Sequence, residues 1–291
     1  PMKHRPLVAY FLIVFGFGWG LPALAFLVSG VFEGYDVSIP QYSLLQYFIA
    51  WSPALAALIV VGSVQGAPGL KDYAVRLVHW RADATWSLFI LLGVPFLYLL
   101  AALFGRLLGE PAAAASGDPQ PAFAAALLAG STLPWGEIGW RGIALPLLQR
   151  RFVGLVAAVL MGVICGLWQL PAYFMGEYGD AASSFSPAAA AGLFLLQAVA
   201  LSVVLTVLYN ATGGSIPLAF LTSWLVRIPY PWGEQADGMI VQSLGLAAAA
   251  VVTLLLVVEG PEAGGAWLPD VTTGVPGTPP TVVVTVWVQL P

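Results

Sequence analysis

The sequence predicts an all-α, polytopic integral membrane protein of about eight transmembrane helices in one bundle. Three observations carry that expectation. Of 291 residues, 59% are hydrophobic and only 8% are charged, against about a quarter charged in a soluble domain. The apolar residues fall into eight runs, at roughly 7–28, 44–65, 86–108, 121–148, 153–175, 187–209, 213–230 and 239–258. Each is near the ~20 residues that a helix needs to cross the hydrocarbon core. The charges between the runs alternate in sign from one loop to the next.

Helices are the expected form of every run, because a helix satisfies its own backbone polar groups where no water can. The loop charges then set the orientation. Lys3 and Arg5 precede the first run, Lys71, Arg76 and Arg81 lie between the second and third, and Arg150 and Arg151 follow the fourth. The intervening loops carry only acids: Glu33, Asp36, Glu110, Asp118, Glu177, Asp180, Glu234 and Asp237. Lys and Arg accumulate on the cytoplasmic side, so both termini are expected in the cytoplasm. The first apolar run is long enough to span and shows no small-residue cleavage site, so no cleavable signal peptide is expected.

Residues 1–258 thus read as one eight-helix membrane domain. Residues 259–291 read as a Pro/Gly-rich tail, in which TVVVTVWVQL at 281–290 is β-prone and too short to span as a helix. A single cysteine, Cys165, excludes a disulfide framework and any cysteine-cluster metal site. The net charge of −4 and the lack of a basic run exclude nucleic acid as a partner.

Polar residues inside the runs are the candidates for function, because a charge at mid-bilayer costs on the order of 2.5–3.5 kcal/mol on insertion scales. Glu137 is the one carboxylate in the middle of a span, within LPWGEIGWRG at 133–142. Arg141 follows it by four residues, so the two share a helix face. An internal ion pair and an active-site wall are both consistent with that spacing. Gln169 in the fifth run reads as interhelical glue or a site residue, and so does Ser223 in the seventh. Arg227, four residues after Ser223, either snorkels to the outer interface or joins the site. Asn210, in YNATGGS, has the composition of a helix stop. His4 and His79 read as surface histidines.

GEIGWRG followed by PLLQRR, then GLWQLPAYF, then YNATGGSIPLAFL, in this order and spacing, resembles the CPBP family. These are the CAAX-protease and bacteriocin-processing intramembrane proteases, also called Abi proteins. The resemblance covers about residues 130–230 and implies an eight-helix fold. The family's first motif has two adjacent glutamates and an arginine, its second ends in histidine, and its third has a histidine with an asparagine four residues on. In the family the first glutamate and the second-motif histidine activate water, with or without zinc.

On this chain the first-glutamate position is Gly136, while the second glutamate and the arginine are Glu137 and Arg141. The second-motif histidine position holds Gln169, with Cys165 at the phenylalanine position of the same motif. The third-motif positions hold Ser223 and Arg227. Glycine and glutamine cannot accept a proton near neutral pH, and glutamine and serine replace imidazole poorly as zinc ligands.

The resemblance therefore implies a degenerate member, a pseudoprotease of a prokaryotic plasma membrane. Its intramembrane cavity would bind a hydrophobic or lipidated ligand, or the protein would dock a membrane partner, with membrane lipid around it and no cofactor. The alternative is an active endopeptidase with a rearranged site, Glu137 serving as base, and zinc enters only there. A transporter is the third reading, and no internal repeat or paired broken helix supports it.

Overall fold

The computed structural model describes residues 5–31, 44–80, 84–107, 134–172 and 187–227. Among these the chain is helical throughout, with no strand. The helices are α1 (Pro6–Gly18), α2 (Gly20–Val31), α3 (Leu44–Val78), α4 (Ala84–Leu107) and the short α5 (Gly136–Gly139). A π-helical turn, Trp140–Ala144, joins α5 to α6 (Leu145–Gln149), and α7 (Gly154–Ala172), α8 (Pro187–Ala211) and α9 (Ile216–Arg227) follow.

Among the described residues, three stretches are long and apolar enough to cross a membrane by length and composition: Pro6–Leu24, Ala50–Val78 and Ala191–Ala211. Trp86–Phe96, Gly154–Leu170 and Ile216–Arg227 are apolar but shorter. Large apolar side chains point outward, Leu12 at 70% and Leu92 at 65% exposure, as expected of faces that meet lipid rather than water. The eighth run, 239–258, and the 259–291 tail lie outside the described residues.

One expectation needs correction. Residues 66–85 read as a loop, yet the helix that begins at Leu44 continues to Val78. Gly66 breaks its course with φ 69° and ψ −157°, a conformation open to glycine at little steric cost. Pro68 then stands in the first turn beyond the break, where a missing N–H costs nothing. Beyond it Tyr73 is buried, and Leu70 and Leu77 pack partly buried against the core. Lys71, Asp72 and Val75 are exposed. Hydropathy finds spans, and this segment is amphipathic, so its mean hydropathy hides it.

The core gathers on α5, the π turn and α6. Their buried residues Trp140, Ile143, Leu145 and Leu148 pack with Tyr10 and Val14 of α1, Val60 and Val61 of α3 and Met161 of α7. Helix α1 lies along α3, α7 along α8, and α9 against α8, α4 and α5. Glycine permits the closest approach: a Cβ on Gly139 would stand 2.1 Å from the Pro53 carbonyl oxygen. Helix α8 ends in a Schellman motif, with Gly213 at φ 61°. The Gly214 amide donates to Tyr209 O at 2.7 Å and the Gly213 amide to Asn210 O at 3.1 Å.

Candidate functional site

Glu137 is the second residue of α5, and its position brings the carboxylate inside the bundle at 5% exposure. Arg141 lies one turn on, in the π segment, at 2% exposure. Its Nη1 donates to Glu137 Oε2 at 2.6 Å. The second carboxylate oxygen, Oε1, accepts the hydroxyl proton of Ser223 on α9 at 2.9 Å. On the far side, Arg141 Nη2 donates to Ser202 Oγ on α8 at 3.3 Å. Ser202 in turn donates to the Ala158 carbonyl on α7 at 2.9 Å.

The chain of donors thus runs from α9 through α5 and the π turn to α8 and α7. Every link is buried, and an ion pair in low dielectric holds only when its remaining lone pairs and protons are also engaged. Both Glu137 oxygens are engaged. Cys165, on α7, is buried in the same core cluster as Trp140 and Ile143, which flank Arg141 in sequence. Among the described residues, Arg141 Nε has no hydrogen-bond partner.

Aromatic rings wall the cluster. Trp140 stands edge-on to Tyr10 (5.8 Å) and to Trp168 (5.7 Å) between ring centroids. Trp135 lies between Trp51 at 4.6 Å and Phe220 at 5.7 Å. Gly136 is half-buried, and a Cβ there would come 3.0 Å from Trp140 Nε1 and 3.6 Å from Pro53 Cγ. A carboxylate at this position would have to press between an indole and a proline ring.

The other residues singled out in the sequence separate from this cluster. Gln169 is half-buried and its Nε2 donates to the Cys165 carbonyl of its own helix at 3.3 Å. Arg227 is exposed at the end of α9, one turn past Ser223. Asn210 is buried and accepts from Gln149 Nε2 at 3.1 Å, tying the end of α8 to the end of α6. Sequence reasoning missed Ser202, Gln149 and the tyrosines around α3. A serine in an apolar run is a weak signal, and its partner on another helix is not written beside it.

Residues 118–228 match the Rce1-like family, whose model is described as type II CAAX prenyl endopeptidase Rce1-like. The matched region contains Glu137, Arg141, Gln169, Asn210, Ser223 and Arg227 together. This part of the chain belongs to the CPBP/CAAX-protease family. No curated protein matches the chain. The match and the apolar helices together suggest a CAAX-protease-type membrane protein.

Within that family pattern, the residue kept as the second glutamate is the one that pairs with the arginine. Ser223, at the position of the third-motif histidine, is the residue that caps the same carboxylate. Of the positions that the resemblance assigns to acid–base work, that of Ser223 joins this network, whereas Gln169 bonds its own helix and Arg227 is exposed.

Proposed function

We propose that the chain is a pseudoprotease of the CPBP family, a membrane protein that keeps the scaffold and has lost peptide hydrolysis. The observation that supports it most is the state of Glu137. Each of its two oxygens already accepts a donor of the protein, Arg141 and Ser223, and the residue is 5% exposed, so a water would have to compete with both donors for it. A general base needs reach to the proton it abstracts, and the neighbouring position that would supply a second carboxylate is Gly136.

The donor set does not suit zinc either. Glu137 is bonded by a guanidinium and a hydroxyl, and a second hydroxyl, that of Ser202, lies on the far side of the guanidinium. A cation could not approach that carboxylate without displacing Arg141. The reading therefore carries no metal step and no cofactor.

What remains is recognition. The retained framework would hold a hydrophobic or lipidated ligand, or dock a membrane partner, and the Trp51–Trp135–Phe220 stack beside Gly136 suits an apolar chain better than a polar one. The same reading places eight spans in a prokaryotic plasma membrane with both termini cytoplasmic, supported by the loop charges.

The test is a prenylated peptide ending in a CAAX sequence, incubated with the purified protein in lipid. Binding that changes tryptophan fluorescence without release of the terminal tripeptide is expected. Cleavage that Glu137→Gln abolishes would replace this reading with an active enzyme whose base is Glu137.

A further inference from the structure

The Glu137–Arg141 cluster is gripped from a side that none of the family motifs touches. Beyond the break at Gly66, α3 presents Tyr73 and Arg76 to the π turn. The Tyr73 hydroxyl, 2% exposed as a residue, donates to the Ile138 carbonyl at 2.5 Å. Arg76 Nη2 donates to the Gly142 carbonyl at 3.4 Å and to the Tyr209 hydroxyl of α8 at 3.2 Å. The Arg76 guanidinium carbon stands 5.9 Å from the centre of the Tyr73 ring, within range of a cation–π contact. A Cβ on Gly142 would stand 2.4 Å from the Tyr73 hydroxyl, so only glycine admits the tyrosine at this place.

Ile138 and Gly142 flank Arg141 in sequence. Between them and α6 the backbone takes a π turn, in which the Leu145 amide bonds Trp140 O, five residues back. Such turns are rare single-turn insertions, found mostly at functional sites, and a buried backbone carbonyl needs a donor from somewhere. Two carbonyls of the segment, those of Ile138 and Gly142, take a side-chain donor from α3.

The two ends of the segment are pinned to different helices, Glu137 to Ser223 of α9 and Gln149 to Asn210 of α8. Removing the extra residue from the turn would rotate one end against the other by about 100°, the angle per residue of an α-helix. One of the two anchors would then be lost.

We infer that Tyr73 and Arg76 are positioning residues for the cluster: by holding the carbonyls on both sides of Arg141 they keep the π turn, and with it the guanidinium that bridges Glu137 to Ser202. The inference rests on the reading of Glu137–Arg141 as a structural pair, and it extends the site to a helix outside the family's motifs.

Cys165, the sole cysteine of the chain, is buried in the core cluster with Trp140 and Ile143, which flank Arg141, and serves as a built-in reporter. Its conversion to a mixed disulfide by a small methanethiosulfonate, with release of methanesulfinate, is measured in detergent well below the melting temperature. Tyr73→Phe removes one hydroxyl and should raise the rate about tenfold, the factor that corresponds to a hydrogen bond of ~1.4 kcal/mol. Tyr10→Phe is the matched control, because the buried Tyr10 hydroxyl has no partner among the described residues, and should leave the rate unchanged.

The second readout is a thermal double-mutant cycle of Tyr73→Phe with Arg141→Met. If Tyr73 acts through Arg141, the double variant should lose less than the two single losses added together. Should Tyr73→Phe not survive purification, Arg76→Lys enters the same cycle. An unmoved Cys165 rate, or additive losses in the cycle, would overturn the inference. Neither readout involves peptide cleavage, so failure here is separable from failure of the proposed function.

Discussion

Ser223 donates its hydroxyl proton to Glu137 Oε1 at 2.9 Å, across 86 residues of chain and from a different helix. The contact joins the third motif of the family to the first through a serine that stands where the family pattern has histidine. It also occupies the carboxylate oxygen that Arg141 leaves open. The residue replacing the histidine thus completes the network around the carboxylate.

Ser223→Ala tests how much that contact contributes. An average interhelical hydrogen bond in a membrane is worth about 0.6 kcal/mol, whereas a bond to a charged group is worth about 1.5–3 kcal/mol. Because the acceptor is a buried carboxylate, the larger range should apply. Thermal denaturation in one detergent should show Ser223→Ala well below the wild type. Thr222→Ala should cost less, since Thr222 donates only to the Leu218 carbonyl of its own helix. Equal losses would mean that the charge of Glu137 adds nothing.

The glycines of GEIGWRG should differ sharply. At Gly139 a methyl would meet backbone, the Pro53 carbonyl at 2.1 Å, whereas at Gly136 it would meet the Trp140 side chain at 3.0 Å. Overpacking typically costs about 1–3 kcal/mol, more where the obstacle is backbone. Gly139→Ala should collapse the yield of folded protein, and Gly136→Ala should be tolerated. The comparison is read by size-exclusion profile and melting temperature.

Topology is open to labelling. In a Cys165→Ala background, single cysteines placed in 32–43 and in 66–80 should react from opposite sides of the membrane, the second from the cytoplasm. Labelling of both from one side would contradict the charge-based orientation.

Much of this arrangement is legible in the sequence because it is local. The four-residue spacing puts Glu137 and Arg141 on one face, and Asn210 with two glycines marks the end of α8. The helix from Pro68 to Val78 escaped because its period is amphipathic and its charges, Lys71 and Arg76, look like those of a loop. The π turn escaped because WRGIA has no composition that distinguishes a hydrogen bond five residues back from one four residues back. Ser202 and Gln149 escaped because their partners, Arg141 and Asn210, lie 61 residues away in each case. Gln169 and Arg227 were drawn toward the cluster by their motif positions, and the structure ties one to its own helix and leaves the other exposed.

Restoring the family's pair is informative about function. General acid–base assistance contributes about 10²–10⁴-fold, and residues acting as a unit gain little when restored singly. Gly136→Glu with Gln169→His should be the smallest change to give measurable cleavage of a prenylated peptide. Ser223→His and Arg227→Asn follow as a second step. Gly136→Glu alone should give none, and its side chain must displace the Trp140 indole to fit. Cleavage by the single variant would show that Gln169 is not limiting.

The central claim is that Glu137 serves Arg141 and not a water molecule. The most direct measurement is the thermal stability of Glu137→Gln, Arg141→Met and the double variant, in one detergent. Breaking a buried pair from one side costs about 3–5 kcal/mol, because it strands a charge, while replacing both partners costs far less. Each single variant should therefore melt well below the wild type, and the double variant should recover a large part of the loss. A Glu137→Gln protein as stable as the wild type, with losses that simply add in the double variant, would contradict the account.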